Sequence, residues 1–246
     1  MSTHDGGQAW TPPIKLDGAL AKGAFMNGVQ LNGGRLVVPC TRDGVRTTCY
    51  SDDHGVTWLA GSILDFEMDA NIRSLTTDAT AWSRALDSDD DLTTHNLGGC
   101  GETSIAADGR GVRTLTLFCR RGTSALVNHA LAISNDGGET WSLAQPLSGV
   151  VGPTCQGSIG PARTNGIVLV SAPFSHDGSL NGRENLALWA VNVTQHPFVA
   201  KLRGRLWGCK GAYTAFSQDG TRVLFEAGTS FRYESIMLAH LEGLVP

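Results

Sequence analysis

Ser134-Asn-Asp136-Gly-Gly138-Glu-Thr-Trp141 decides the reading of this chain, because it is one of three copies of a single pattern. Ser51-Asp-Asp53-His-Gly55-Val-Thr-Trp58 and Thr3-His-Asp5-Gly-Gly7-Gln-Ala-Trp10 are the others, and all fit Ser/Thr-x-Asp-x-Gly-x-x-Trp. In such a turn the aspartate accepts backbone N–H groups, the glycine takes a conformation other residues avoid, and the tryptophan packs beneath. Asp5, Asp53 and Asp136 are therefore each accounted for by their own turn, not by a metal or acid–base site. Their spacings of 48 and 83 residues fit one and two units of a repeated small sheet.

The flanking sequence agrees. Gly34–Cys40 and Val45–Tyr50 flank Asp43-Gly44, a tight-turn signal. Residues 113–119, 125–134, 166–172, 185–193, 221–226 and 235–241 are further short runs rich in Val, Leu, Ile and Thr. No long stretch keeps a helical period. The polar, acidic segment 65–96 reads as a long loop with one short helix.

Composition bounds the rest. A chain of 246 residues that is 41% hydrophobic can bury a sizeable core. A net charge of −4 argues against nucleic-acid or membrane-surface binding driven by charge. No apolar run reaches the roughly 20 residues of a membrane span, and residues 1–10 carry no secretory signal. The compartment stays open. The six cysteines form no CxxC pair and are expected to be free buried thiols rather than a disulfide framework. Asn192-Val-Thr194 is a glycosylation sequon that matters only in an exported protein.

The repeated turn resembles the Asp-box of sialidases, and other segments extend that likeness in the family's order. Gly99-Cys-Gly-Glu102-Thr-Ser is similar to the segment bearing the glutamate that activates the nucleophile. Phe118-Cys-Arg120 resembles the strand end carrying one arginine of the family's triad. Pro153-Thr-Cys-Gln-Gly-Ser158 looks like a Cys-Gln-Gly-Ser segment, and Phe174 to Arg183 resembles the loop delivering a further triad arginine. Gly211-Ala-Tyr213-Thr is similar to the segment holding the tyrosine nucleophile, and Val223-Leu-Phe-Glu226 to the strand after it. The resemblance implies an all-β, six-bladed β-propeller domain over residues 1–246, incomplete, with roughly four to five blades present.

The chemistry explains this set of residue types. Sialic acid carries a carboxylate on its anomeric carbon, which fixed arginines can bind bidentately. That charge would repel a carboxylate nucleophile, so sialidases use a tyrosine, and a glutamate that takes its proton activates the phenol. The resemblance implies Tyr213 as nucleophile, Glu102 as its base partner, and Arg120 and Arg183 on the substrate carboxylate. Glu226 would orient a further arginine. Strand alternation alone does not choose between Arg120 and Arg121; the spacing to Glu102 favours Arg120.

The implied activity is that of an exo-α-sialidase, a retaining hydrolase of terminal sialic acid on glycoproteins, gangliosides or oligosaccharides. No metal or organic cofactor is implied, and sialylated glycoconjugates are the expected partners. The family also has a preceding Phe-Arg-Ile-Pro segment, with the first triad arginine, and then an acid/base aspartate. Neither motif occurs here, and Phe231-Arg-Tyr233 lies in the wrong place to replace it. Asp5 is committed to its turn, and Asp17 and Asp43 sit in no matching motif. The chain therefore reads as an N-terminally truncated sialidase with an open ring, or as a non-catalytic sialoglycan-binding module.

Overall fold

The computed structural model describes residues 5, 7–12, 27–42, 45–62, 64, 100–121, 129–150, 153, 155–174 and 183–243, with Arg42, Val45, Cys100 and Arg121 as backbone only. The Asp43-Gly44 turn, Asp17 and the segment 65–96 lie outside the described residues, as does the Arg121 side chain. Within them the chain forms four antiparallel sheets in sequence order. The first sheet holds β1 (Val29–Gln30), β2 (Leu36–Arg42), β3 (Val45–Ser51) and β4 (Leu59–Ala60). The second holds β5 (Cys100–Ala107), β6 (Leu115–Arg121), β7 (His129–Ser134) and β8 (Gln145–Pro146). The third holds β9 (Ser158–Pro161), β10 (Ile167–Pro173), β11 (Leu186–Asn192) and β12 (Ala200–Arg205). The fourth holds β13 (Lys210–Phe216), β14 (Arg222–Gly228) and β15 (Ser235–His240). Strands pair in sequence order throughout, as a meander of hairpins requires. Among the described residues no helix is long and apolar enough to cross a membrane.

Apolar side chains fill the three spaces between successive sheets. Leu31, Val37, Leu115 and Leu117 join the first sheet to the second. Phe118, Leu131, Ile159, Val170 and Trp189 join the second to the third. Leu169, Leu188, Phe216 and Phe225 join the third to the fourth. The far face of the fourth sheet is bare: Leu224 lies opposite Leu238, and both are exposed along with Ile236.

The first strands of the sheets meet through small polar side chains. Asn27, ahead of β1, donates to the Ile105 carbonyl at 3.2 Å and accepts from Ser104 Oγ at 2.6 Å. Ser104 Oγ in turn accepts the Ile159 N–H at 3.2 Å. Ser158, Ser171 and Thr214 share a buried hydroxyl cluster with contacts of 2.7–3.1 Å. Gln218 of the fourth sheet reaches the Gln30 carbonyl of the first at 3.3 Å. The result is a propeller-like, all-β arrangement, with small residues where backbones crowd together.

The repeated turns form as their composition dictates. Asp53 accepts the Thr57 N–H at 2.8 Å and its hydroxyl at 2.6 Å, while Ser51 Oγ accepts the Gly55 N–H at 2.8 Å. Asp136 and Ser134 repeat this at Thr140 and Gly138, and Asp5 accepts the N–H groups of Gln8 and Ala9. Gly7, Gly55 and Gly138 all have φ near +90°, a region that disfavours any residue with a Cβ. A shorter turn, Ser217-Gln-Asp219-Gly220, has its glycine directly after the aspartate and closes differently: Asp219 accepts the Thr221 N–H at 3.0 Å, and Ser217 Oγ accepts the Arg222 N–H at 3.0 Å.

Two expectations are corrected. The turns at 51–58 and 134–141 lie on sheets packed directly together, so the 83-residue spacing spans one step, not two. Trp141 Nε1 donates to Thr48 Oγ1 at 2.8 Å, and Thr48 donates to the Gly138 carbonyl at 2.8 Å. The cysteines are not all free: Cys40 and Cys49 form a disulfide, Cys119 is also disulfide-bonded, and Cys155 and Cys209 are free thiols. The pairing depends on register. Cys40 lies opposite Thr47, which puts Cys49 two residues on and on the same face. Replacing Cys40 and Cys49 by serine is expected to cost about 2–3 kcal/mol, read as a lower urea midpoint. An unchanged midpoint would show that these thiols are unpaired in solution.

Candidate active site

Two bulges build the site. Along β5 and β6 the register steps so that Gly101 and Glu102 face the single residue Arg120. Along β13 and β14 it steps again, and Ala212 and Tyr213 face the single residue Glu226. A bulge frees a residue from the ladder and re-aims its side chain. Both lie near the starts of the first strands of their sheets, so the two disruptions share one end of the arrangement.

The facing residues make use of this geometry. Arg120 Nη1 donates to Glu102 Oε2 at 2.9 Å, a pair whose members are 28% and 14% exposed. Glu226 Oε2 accepts the Tyr213 N–H, which the bulge removes from the ladder, at 3.4 Å. Arg183 reaches Tyr213 from the third sheet: its carbonyl accepts the Gly211 N–H at 3.0 Å, and its guanidinium lies 5.5 Å from the Tyr213 ring centre. Among the described residues no hydrogen bond joins Glu102 to Tyr213. The sequence candidates thus fall into two contact groups: Glu102 with Arg120, and Tyr213 with Arg183 and Glu226.

Cys155, just ahead of β9, is coupled electrostatically to both groups. Burial pushes its thiol up to about 11, against the opposing pull of Arg183, Arg120 and Arg232, while Glu102 adds to the rise. All four charged side chains are therefore near enough to act on one buried sulfur. Three further site neighbours are not among the site candidates of the sequence. Tyr233 accepts from Arg183 Nη1 at 3.1 Å. Arg232 lies 5.2 Å from the Tyr233 ring centre. Arg46, on β3, is drawn below the usual arginine range by burial, with Glu102 opposing that shift. Arg46 carries an ordinary strand-residue signature, and only the packing of the first sheet on the second brings it to Glu102.

His129 lies opposite Arg120 in the β6–β7 register. It is fully buried, stacks on Phe118 with ring centres 4.8 Å apart, and its Nε2 lies 3.1 Å from the Cys155 carbonyl. A carbonyl only accepts, so Nε2 carries the proton of a neutral ring. Burial lowers the folded pKa from 6.5 to about 4, aided by Arg120 and opposed by the Cys155 carbonyl. Between those values the unfolded chain binds a proton that the folded chain does not. The resulting stability is complete above the unfolded pKa and falls as pH drops toward the folded one, by about 3 kcal/mol in all. Urea midpoints measured from pH 7 to pH 4 should show this loss, and His129→Gln should flatten it. A wild-type midpoint constant across that window would contradict the assignment.

No protein-family model matches the chain. No curated protein matches it either. Solved structures do. A point mutant of the NanB sialidase from Streptococcus pneumoniae aligns at 21% identity with a TM-score of 0.56, covering 89% of this chain and 29% of that one. The intramolecular trans-sialidase from Ruminococcus gnavus aligns at 19% identity and 0.54, covering 89% and 44%. The Hadza microbial sialidase Hz136 aligns at 17% identity and 0.61, covering 98% and 43%. At these identities the likeness shows a shared sialidase-like fold, and the chain spans less than half the length of each of these structures.

Proposed function

We propose that this chain is part of a sialidase-type propeller, with its three tryptophan turns as Asp-boxes, and that its bulged end binds and cleaves α-linked sialic acid. Residues 1–246 belong to one such domain in this reading. The observation that carries it is the pair of matched bulges, which set Glu102 against Arg120 and Tyr213 against Glu226 with Arg183 over the phenol. Arg120 and Arg183 take the substrate carboxylate by charge-assisted hydrogen bonds. Tyr213 attacks the anomeric carbon as the bond to the aglycone breaks, Glu102 accepts the phenolic proton, and water then displaces the tyrosine to free sialic acid. When Arg120 engages the substrate, the Glu102 carboxylate keeps lone pairs free for that proton. Glu226 fixes the Tyr213 backbone.

An aryl α-sialoside with an acidic phenol is the appropriate substrate, because its leaving group departs without an acid/base residue, and none is assigned here. The purified chain should release the phenol and sialic acid. The Glu102–Arg120 pair favours a second reading, a sialoglycan-binding site without turnover, since it occupies the base. Binding of the sialoside without phenol release would establish that second reading. Absence of both binding and release would eliminate both.

A further inference from the structure

We propose that the loop between β14 and β15, residues 229–234, forms a second wall of this anion site, with Arg232 as an additional substrate-binding cation and Tyr233 as a positioning residue for Arg183. The inference rests on the sialic-acid reading and deepens it.

The geometry is a chain of direct contacts. The Arg232 guanidinium lies 5.2 Å from the Tyr233 ring centre. The Tyr233 hydroxyl accepts from Arg183 Nη1 at 3.1 Å, and Arg183 in turn covers the Tyr213 ring. A single tyrosine side chain thus meets two guanidiniums, one at its hydroxyl and one at its ring. No ion pair neutralises either of them among the described residues, and the buried Arg232 Nε has no hydrogen-bond partner there. Like charges held together without a carboxylate repel one another, and a bound anion relieves that repulsion.

The loop is also preformed. The Glu234 carboxylate accepts the N–H groups of Thr229, Ser230 and Phe231 at 2.9, 3.1 and 2.8 Å. Trp207 Nε1 donates to the Gly228 carbonyl at 3.1 Å. A Cβ at Gly228 would collide with the Phe231 carbonyl, so this close return of the chain requires glycine. A loop fixed in this way presents Arg232 without a large ordering cost on binding. The ligand chemistry it fits is a sugar carboxylate, whose lone pairs beyond those taken by one bidentate arginine remain open to a further cation.

The test compares two probes by calorimetry, the methyl α-glycoside of N-acetylneuraminic acid and the same glycoside with its carboxylate methyl-esterified. Wild type should bind the acid more tightly than the ester. Arg232→Ala should weaken acid binding by about tenfold or more, the usual effect of losing a hydrogen bond to a charged group, and leave ester binding unchanged. Arg232→Gln keeps a polar side chain against Tyr233 and should behave in the same way, which separates lost charge from misfolding. Tyr233→Phe should weaken acid binding in wild type but have a smaller effect once Arg183 is replaced by alanine. Wild type binding the acid, with both Arg232 variants at full affinity, would overturn this inference and leave the parent reading intact. Wild type binding neither probe would remove both.

Discussion

Tyr213→Phe should abolish phenol release from an aryl sialoside, lowering kcat by about 10³-fold or more, as loss of a nucleophile does. The change is one oxygen atom. The ring stays beneath Arg183, and the backbone N–H still reaches Glu226. In the proposed reading Arg120 and Arg183 hold the substrate, so the affinity for an intact sialoside should change little. Glu102→Gln should lower kcat by about 10²–10⁴-fold, the usual worth of a positioned proton acceptor. It also leaves Arg120 without its carboxylate partner, so its binding effect should differ from that of Tyr213→Phe. A Tyr213→Phe chain with full turnover would end the nucleophile assignment, whatever Glu102→Gln did.

How much of this was legible in the sequence follows from local chemistry. The tryptophan turns are self-contained: aspartate, glycine and tryptophan within eight residues close each one, so pattern alone finds them. Strands such as β10 and β11 are buried on both faces and carry continuous apolar runs, which composition also finds. The first strands are different. β5 reads Cys-Gly-Glu-Thr-Ser-Ile-Ala-Ala and β13 reads Lys-Gly-Ala-Tyr-Thr-Ala-Phe. Their residues are small because neighbouring backbones approach closely there, and small residues have weak strand signals. β12 is mostly exposed and has no apolar run to find.

The site divides along the same line. Glu102, Arg120, Arg183, Tyr213 and Glu226 sit in segments with recognisable neighbours. That Glu102 faces Arg120 and Tyr213 faces Glu226 is a consequence of two register steps, which no composition reveals. In the sequence Phe231-Arg-Tyr233 is only a misplaced counterpart of the Phe-Arg-Ile-Pro segment, so neither Arg232 nor Tyr233 stands out as a site residue. The role proposed for them depends on a turn stapled by Glu234, a tertiary fact. Cys40 and Cys49 were legible as residues but not as partners, since a slip of one residue in the β2–β3 ladder would put them on opposite faces.

Arg35→Met should be the most destabilising single change outside the site. Arg35 is 6% exposed and joins the first two sheets through their turns. Its Nε and Nη2 hold Asp52 bidentately at 2.7 and 2.6 Å. Nη1 donates to Glu139 at 2.8 Å and to the carbonyls of Asp136 and Gly137 at 3.2 and 3.4 Å. Its guanidinium carbon lies 4.3 Å from the Tyr50 ring centre. Methionine preserves the apolar stem over Tyr50, so the loss isolates the polar network. Two effects compete. Asp52 and Glu139 are substantially exposed and can turn to water, which limits the cost of losing their cation. The Asp136 and Gly137 carbonyls belong to the turn packed against Arg35, and an acceptor left unsatisfied there is expensive. The second effect dominates, with a net loss of about 3 kcal/mol. For a chain of this size that is a fall in Tm of roughly 10 °C. Arg35→Lys should recover little, because an ammonium cannot span a carboxylate bidentately and reach a second turn at once. An Arg35→Met chain melting within a degree or two of wild type would mean that the apolar space around Leu31, Val37 and Leu115 alone holds these sheets together.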